Sequence, residues 1–237
     1  MQSTGNTAKD YCLQRVAELA RARPKLVIVD LGCGDGRNVE PLLREHAGVR
    51  YVGIDPSRSA VDAAQTRLAA HDAELHVGHA YDVHLADADV VLSFSVLEHV
   101  YRRAPYVRSV ARNLKPNGAA FLNYDAGHFN DPSERWKAPV RKGLARIGRD
   151  ARYQAPVREA ELLNTLARAG LVVEEARFFN THLKELYKLV PDKERFARTW
   201  LDLELKLNDQ LEYREEYAPI LRTRNVVLRH VPKSASA

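Results

Sequence analysis

The feature that most constrains this chain is a glycine-rich loop between an apolar run and a helix-like segment, in KLVIVDLGCGDGRNVEPLL at residues 25–43. Residues 26–29 have the composition of a strand, and Gly32, Gly34 and Gly36 follow shortly after them. Glycine tolerates positive φ and has no Cβ, so such a loop can turn sharply and bring its backbone N–H groups against a ligand. The pattern predicts a small-molecule cleft at a strand-to-helix turn.

Two acids near this loop favour one class of ligand. A dinucleotide fingerprint would place its third glycine where Arg37 stands, and its pyrophosphate would be repelled by the Asp30 carboxylate. A ligand that carries positive charge fits better. A second acid, Asp55, ends the strand-like run RYVGID and is placed to accept hydrogen bonds from both hydroxyls of a ribose. Together these residues resemble the first two motifs of the class I S-adenosylmethionine-dependent methyltransferases.

The resemblance assigns a role to each motif position. In that family, an acid two positions before the first glycine contacts the amino group of the cofactor's methionine end, which is the position of Asp30 here. S-adenosylmethionine is therefore the implied cofactor. The implied cofactor-binding residues are Asp30, Gly32, Cys33, Gly34, Gly36, Asp55, Pro56, Ala80, Tyr81, Asp82, Ser93, Phe94 and Ser95.

The residues expected to contact the adenine ring of the cofactor differ from the family's pattern. Many relatives have Gly-Asp-Ala after the third strand, where the Asp meets the adenine amino group, whereas this chain has Gly78, His79 and Ala80. The departure leaves Asp82 or a backbone carbonyl for that contact. His79 is either part of the site or a solvated loop histidine.

The run DVVLSFSVLEHV at residues 89–100 is the second informative stretch. Its apolar half predicts a buried fourth strand, and ligands bind at the carboxyl ends of such strands. VLEHV resembles the small-molecule branch of the family, which includes quinone and natural-product methyltransferases and implies a role in secondary metabolism. DNA adenine methyltransferases carry an Asn/Asp-Pro-Pro-aromatic motif here, which this chain lacks.

The predicted catalytic residues are His99, Glu98 and His128. Methyl transfer depends largely on alignment of the nucleophile, but a base helps when the acceptor is a hydroxyl. His99 has the pKa range for a base, and Glu98 either orients it or is the base itself. A helix N-terminal acid and a buried histidine are the structural alternatives. Relatives with a metal site use two glutamates and two histidines; Ser95 replaces the first glutamate here, so no metal site is predicted.

The remaining pattern predicts one α/β methyltransferase domain over residues 1–237, with a doubly wound, Rossmann-like, seven-stranded sheet and an antiparallel last strand. The predicted additions are a cap helix within 1–24, a basic lid at 126–155, a helical insert between strands 6 and 7 at 181–222, and a flexible tail at 232–237. Tyr11 of the cap helix either reaches the site or packs between helix and sheet.

Charge and composition limit the partners. The formal charge is +5, and residues 135–158 hold eight basic side chains and one acid, so the lid either attracts an acidic small-molecule substrate or is a solvated face. RNA or tRNA methylation through this segment, and a non-catalytic cofactor-binding protein, are the rival functions. A homodimer through residues 181–222 is also possible. Two cysteines and no long apolar stretch predict a cytoplasmic protein without a transmembrane segment.

Overall fold

The computed structural model describes residues 3–125, 138–146, 153–179, 183–212, 214, 217 and 220–231. The predicted catalytic residue His128, most of the predicted basic lid and the predicted flexible tail at 232–237 lie outside the described residues.

Seven strands form one sheet. They are β1 (Val27–Leu31), β2 (Arg50–Asp55), β3 (Ala73–Val77), β4 (Ala88–Phe94), β5 (Leu114–Asp125), β6 (Leu171–Phe179) and β7 (Thr223–His230). Their order is β3-β2-β1-β4-β5-β7-β6, with β7 antiparallel to both β5 and β6 and the other pairs parallel. This sheet confirms the predicted fold class.

Helices cover both faces of the sheet. They are α1 (Thr7–Ala22), α2 (Glu40–Glu45), α3 (Arg58–Arg67), α4 (Arg103–Asn113), α5 (Ala138–Arg146), α6 (Glu159–Arg168), α7 (Lys184–Leu189) and α8 (Lys193–Gln210). One buried cluster joins α1, α2 and α8 to the sheet, and a second joins α4 and α6 to its other side. Because side chains alternate along a strand, Ile28 belongs to the first cluster and Val29 to the second.

The strand order places a ligand-binding edge at β1 and β4. The chain runs outward through β2 and β3 and then returns to add β4 on the other side of β1. In doubly wound sheets, the loops at the carboxyl ends of the strands separate at this switch point and leave a crevice. The glycine loop and the VLEHV segment follow β1 and β4, so the fold brings both motifs to that crevice.

The segment LKPNG at residues 114–118 has the composition of a turn but belongs to a strand. Helix α4 ends before it, and β5 begins at once with Leu114, which pairs with Ala88 of β4. The register then shifts, and regular pairing resumes at Ala119. Residues 114–118 therefore form an irregular first part of β5.

Polar side chains fasten α1 over the carboxyl edge of the sheet. Ser95 Oγ donates to Asn123 Oδ1 at 3.2 Å, and Asn123 Nδ2 donates to Asn225 Oδ1 at 2.7 Å. Asn225 Nδ2 donates in turn to the carbonyl of Ala8 at 2.7 Å. The two asparagines are buried, so this chain of hydrogen bonds fixes the start of α1 relative to β5 and β7.

Tyr11 takes the packing role rather than reaching the cleft. Its ring lies 5.7 Å from that of Phe179, and its hydroxyl donates to Glu175 on β6. Arg15 and Arg177 also bond to this carboxylate. The aromatic side chain thus anchors α1 to the outer strand.

Helices α7 and α8 connect β6 to β7. Trp200 and Leu201 of α8 are buried, whereas Leu186, Leu189 and Leu203 remain exposed. Within the described residues, none of the helices is both long and apolar enough to span a bilayer.

We expect Asn225→Ala to lower the free energy of unfolding by about 1–3 kcal/mol, because it leaves buried groups of Asn123 and Ala8 without partners. Urea denaturation measures this change. Asn164→Ala, on the exposed face of α6, is the control and should change stability by less than about 0.5 kcal/mol. An Asn225 variant as stable as the wild type would contradict the anchoring role of the asparagines.

Candidate functional site

The glycine loop turns sharply after β1 and presses against the loop after β4. The backbone N–H groups of Gly32 and Cys33 both donate to the carbonyl of Ile54, at 2.8 and 3.1 Å. Gly32 has a φ of +97°, and a Cβ there would lie 2.4 Å from Cγ2 of Val96. Only glycine therefore fits at this position without movement of the neighbouring loop.

Asp55 ties the glycine loop to the start of α3. Its Oδ2 accepts from the N–H of Gly34 at 3.0 Å, and its Oδ1 accepts from the N–H of Ser57 at 2.9 Å. A carboxylate offers about four acceptor sites, so each oxygen can accept a further hydrogen bond from a ligand. The Asp55 carboxylate is thus fixed in place and still able to bind hydroxyl groups.

Asp30 is a buried carboxylate with one unused oxygen. It is 5% exposed, and Tyr51 Oη donates to its Oδ2 at 2.9 Å. Its Oδ1 is buried and has no hydrogen-bond partner among the described residues. Burial raises the pKa of Asp30 to about 6; the charge of Asp55 adds to this shift, whereas Tyr51 and Lys9 oppose it. Buried polar atoms normally have partners, so Oδ1 marks a position for a donor from a ligand.

A cavity of about 490 Å³ opens at the carboxyl ends of β1 to β4. Five residues predicted from the sequence line it, namely Gly32, Pro56, Ala80, Tyr81 and His99. The residues that the prediction missed are Ile54, Ser57, Gly78, Val96, Val100 and Tyr106, and His79, which was left open, also lines the cavity. The volume is in the range of small-molecule sites.

Two stacked rings form part of the cavity wall. His79 and Tyr81 lie parallel, with ring centroids 5.3 Å apart and an interplanar angle of 4°. The guanidinium of Arg102 lies 5.8 Å from the centroid of Tyr81. His79 stands where many relatives carry an acid, so this chain presents aromatic faces at the position expected for an adenine carboxylate contact.

Asp82, which is a predicted cofactor contact, pairs with a residue of α4. Its carboxylate pairs with Arg108 of α4, at 2.6 and 2.8 Å, and is not among the groups that line the cavity. The hydrogen bond from Arg108 holds the pKa of Asp82 below its ordinary value. Asp82 therefore fastens the loop after β3 to α4.

Ser93 and Phe94 also lie behind the cavity rather than in its wall. Ser93 is fully buried, and its hydroxyl is 2.7 Å from Tyr106 Oη, which donates to the carbonyl of Leu31 at 2.8 Å. Phe94 packs in the core on the side of α1. Tyr106 itself lines the cavity, so its hydrogen bond with Ser93 helps to hold this side chain in the cavity wall.

The other two predicted residues in these loops are Cys33 and Ser95. Cys33 is buried, and burial raises the pKa of its thiol well above the ordinary value, so the thiol stays neutral. Ser95 has a φ of +58°, and its N–H donates to the carbonyl of Asn123 at 2.8 Å. Ser95 thus joins the loop after β4 to the asparagine network under α1.

Glu98 and His99 point to different places. Both lie in a 3₁₀ turn, Leu97–His99. His99 is exposed, lines the cavity, and has Nδ1 3.3 Å from the carbonyl of Tyr153. Glu98 is 3% exposed and is not part of the cavity wall. The exposed histidine is therefore the one of the pair that reaches the cavity.

Glu98, like Asp30, is a buried carboxyl with one oxygen that has no hydrogen-bond partner among the described residues and with a raised pKa. Its Oε2 is buried without a hydrogen-bond partner in the part of the chain that the structure describes. Burial raises the pKa of Glu98 to about 7; the charge of Asp125 adds to this shift, whereas Lys9 and backbone hydrogen bonds oppose it. The described residues hold no group of three or more side chains suited to a metal ion.

We expect the stability of the empty protein to reflect these two raised pKa values. Each acid binds its proton more tightly when folded, so its contribution to stability is present at low pH and is lost as the pH rises through about 6 for Asp30 and about 7 for Glu98. Asp30→Asn and Glu98→Gln remove that loss. Relative to the wild type, each variant should therefore gain stability as the pH rises from about 4 to 8, by on the order of 3 kcal/mol.

Urea denaturation of each variant and the wild type across this pH range tests the expectation. Asp62→Asn, on the exposed face of α3, is the matched control. A difference from the wild type that does not grow with pH for Asp30→Asn or Glu98→Gln would show that these carboxyls are not penalised by burial.

Comparison with known proteins agrees with this geometry. Residues 29–120 match the family model of a methyltransferase domain. The chain is 32% identical over 130 residues to the cypemycin N-terminal methyltransferase of a Streptomyces species, which covers 52% of this chain and 50% of the relative. It is 31% identical over 105 residues to the ubiquinone biosynthesis O-methyltransferase of Bartonella tribocorum, which covers 41% of this chain and 40% of the relative. The chain thus matches about half or less of the length of these curated relatives.

A solved structure shares the fold. The O-methyltransferase of a trans-AT PKS multienzyme from Brevibacillus brevis, solved with S-adenosyl-L-homocysteine, has a TM-score of 0.58 at 14% identity. The match covers 93% of this chain and 72% of that one. The chain is thus similar to methyltransferases over residues 29–120, the part that carries the glycine loop, its two acids and the VLEHV segment.

Proposed function

We propose that this chain binds S-adenosylmethionine at the carboxyl edge of β1 and β2 and transfers its methyl group to a small molecule. The observation that carries this proposal is the unpartnered, buried Oδ1 of Asp30 beside the glycine loop. Among the described residues this oxygen lacks a hydrogen-bond donor, and the cofactor's amino group could supply one that is positively charged. The methyltransferase match and the bound S-adenosyl-L-homocysteine of the Brevibacillus relative support the same ligand.

The residues present fit the whole cofactor. Asp30 would accept from the amino group, and Asp55 would accept from the ribose hydroxyls with the acceptor sites that its two backbone bonds leave. His79 and Tyr81 would contact the adenine ring with their aromatic faces. Gly32 lets the glycine loop approach Val96 closely, because a Cβ there would clash with the Val96 side chain.

When bound, S-adenosylmethionine supplies an electrophilic methyl group on a sulfonium. The protein's part is to hold the acceptor in line behind that methyl group and to exclude water, and alignment of this kind accounts for much of the rate enhancement. His99, at the cavity wall, is the proposed base for a hydroxyl acceptor. The other predicted base, His128, lies outside the described residues.

The acceptor is proposed to be a small biosynthetic intermediate. The names of the two curated relatives refer to an N-terminus and to ubiquinone biosynthesis, so both nitrogen and oxygen acceptors occur among them. The rival prediction of RNA methylation rests on the basic segment, most of which lies outside the described residues. A homodimer through residues 181–222 likewise stays a prediction.

We expect Asp30→Asn and Asp55→Asn each to weaken S-adenosyl-L-homocysteine binding by about 1.5–3 kcal/mol, because each loses hydrogen bonds to a charged acceptor. Isothermal titration calorimetry measures the affinity. Asp82→Asn removes a carboxylate of the same size that pairs with Arg108 instead, and its affinity should equal that of the wild type. Unchanged affinity in both Asp30 and Asp55 variants would contradict the assignment.

We expect His99→Gln to lower methyl transfer while leaving S-adenosyl-L-homocysteine affinity within about twofold of the wild type, since general bases typically contribute about 100-fold or more. Transfer is measured from S-adenosylmethionine labelled in the methyl group, with pooled hydroxyl and amine compounds as acceptors. His76→Gln, on β3 and outside the cavity wall, is the control. Full turnover by the His99 variant would assign the rate to alignment alone.

A further inference from the structure

Glu98 is a buried acid with an unused hydrogen-bond acceptor, next in sequence to residues of the cavity wall. It lies between Val96 and His99, which both line the cavity, at the carboxyl end of β4. It is 3% exposed, yet its Oε2 has no hydrogen-bond partner among the described residues. An ionisable group that is buried without its hydrogen bonds destabilises a protein. The unused oxygen lies behind the cavity wall, on a residue flanked in sequence by two that line it, and is a candidate acceptor for a donor from a ligand.

The charges around Glu98 are mostly negative. Asp125, at the end of β5, raises the pKa of Glu98 by its charge, after the larger effect of burial. Asp30, at the end of β1, carries the second unused carboxylate oxygen. Thus β1, β4 and β5 each bring a carboxylate to the same edge of the sheet. An anion at this edge would be repelled, whereas a cation would be attracted.

One basic side chain of α1 acts on both acids through its charge. The charge of Lys9, in the first turns of α1, lowers the pKa of Glu98 and also that of Asp30, so a single alkylammonium acts on both carboxylates. Lys9 is partly buried. The charge of a primary ammonium on α1 therefore already favours the ionised form of both acids.

We propose that the methyl acceptor is an amine, held in its protonated form by the Glu98 carboxylate beside Asp125. This rests on the proposed function, in which Asp30 is taken up by the amino group of the methyl donor and Glu98 remains for the acceptor. It replaces the acidic substrate that the basic segment suggested, because the carboxylates are close to the site whereas most of that segment lies outside the described residues.

The chemistry balances with Glu98 as the proton acceptor. The bound ammonium first gives a proton to the Glu98 carboxylate, which leaves a neutral amine and a carboxylic acid. The nitrogen lone pair then forms the N–CH₃ bond as the C–S bond of the sulfonium breaks, and the electrons of that bond stay on sulfur. The products are a methylated ammonium and a neutral thioether. With a pKa of about 7, Glu98 is a stronger base than an ordinary glutamate.

The first arm of the test compares simple ligands on the full chain saturated with S-adenosyl-L-homocysteine. The probes are n-butylammonium, butyrate and n-butanol, and binding is followed by saturation-transfer NMR and calorimetry. We expect n-butylammonium to bind more tightly than either of the others. Glu98→Gln should weaken n-butylammonium binding at least about tenfold, because it removes the charge but keeps the shape. Glu161→Gln, an exposed glutamate on α6, should leave binding unchanged.

The second arm needs no variant. An alkylammonium keeps its charge between about pH 5.5 and 8.5, so a change in its affinity reports the protein's own groups. Glu98 faces Asp125 of β5, Lys9 of α1 and Tyr106 of α4. Since the cation prefers the ionised carboxylate, affinity should rise as the pH passes through about 7 and then level off. This arm keeps the proposal testable if Glu98→Gln fails to fold.

Three results would overturn the proposal: butyrate binding as tightly as n-butylammonium, a Glu98→Gln variant that binds n-butylammonium as the wild type does, or an affinity independent of pH in this range. Absence of any n-butylammonium binding to the saturated chain would also reject it. Failure of the proposed function is distinct, because the wild type would then not bind S-adenosyl-L-homocysteine in the first step.

Discussion

The structure depends on a carboxylate that the central strand carries into the interior. Asp30 pairs in register with Gly53 of β2 and Leu92 of β4, so its charge lies in the middle of the sheet. An ionised carboxyl there is unfavourable unless donors or cations meet it, and Tyr51 supplies one donor. The apolar side chains of β1, fully buried on both faces, stabilise the sheet enough to hold this charge. The fold thus keeps an acceptor in a place that only a ligand completes.

Helix α1, which begins near that acceptor, is attached to the fold by residues that are distant from it in sequence. Helix α1 begins beside the site, but its attachments are Asn225 in β7, Glu175 in β6 and Glu204 in α8. Each joins a residue near the start of α1 to a segment more than 160 positions later in the chain. The last strands and α8 therefore do more than complete the sheet: they set the position of Lys9, the cation that acts on Asp30 and Glu98.

The sequence was sufficient for the features that follow from local pattern. The strand-to-helix turn with its glycines and the buried β4 were predicted because apolar runs and glycines occur there in a fixed order along the chain. Tyr106 could not be found in this way, since α4 brings its ring to the cavity only through packing on β4. The partners of Asp82 and Ser93 were not predictable for a similar reason, because an arginine and the hydroxyl of Tyr106, both on α4, bond to them. When the partner of a side chain lies on another helix or strand, the sequence around that side chain does not reveal the contact.

The burial of Asp30 and Glu98 explains both a lower stability of the empty protein and a preference of the site for cations. Removing water from Asp30 and Glu98 raises the pKa of each, which destabilises the empty protein at neutral pH. It also strengthens the attraction of each carboxylate for a cation, because the screening by water is weaker inside the protein. Glu98 adds a feature that Asp30 shares only in part, since its pKa lies near neutrality and its proton can move in either direction at physiological pH. A carboxylate in that state can hold an ammonium and then take its proton, whereas the exposed His99 can serve the acceptor only from the cavity side.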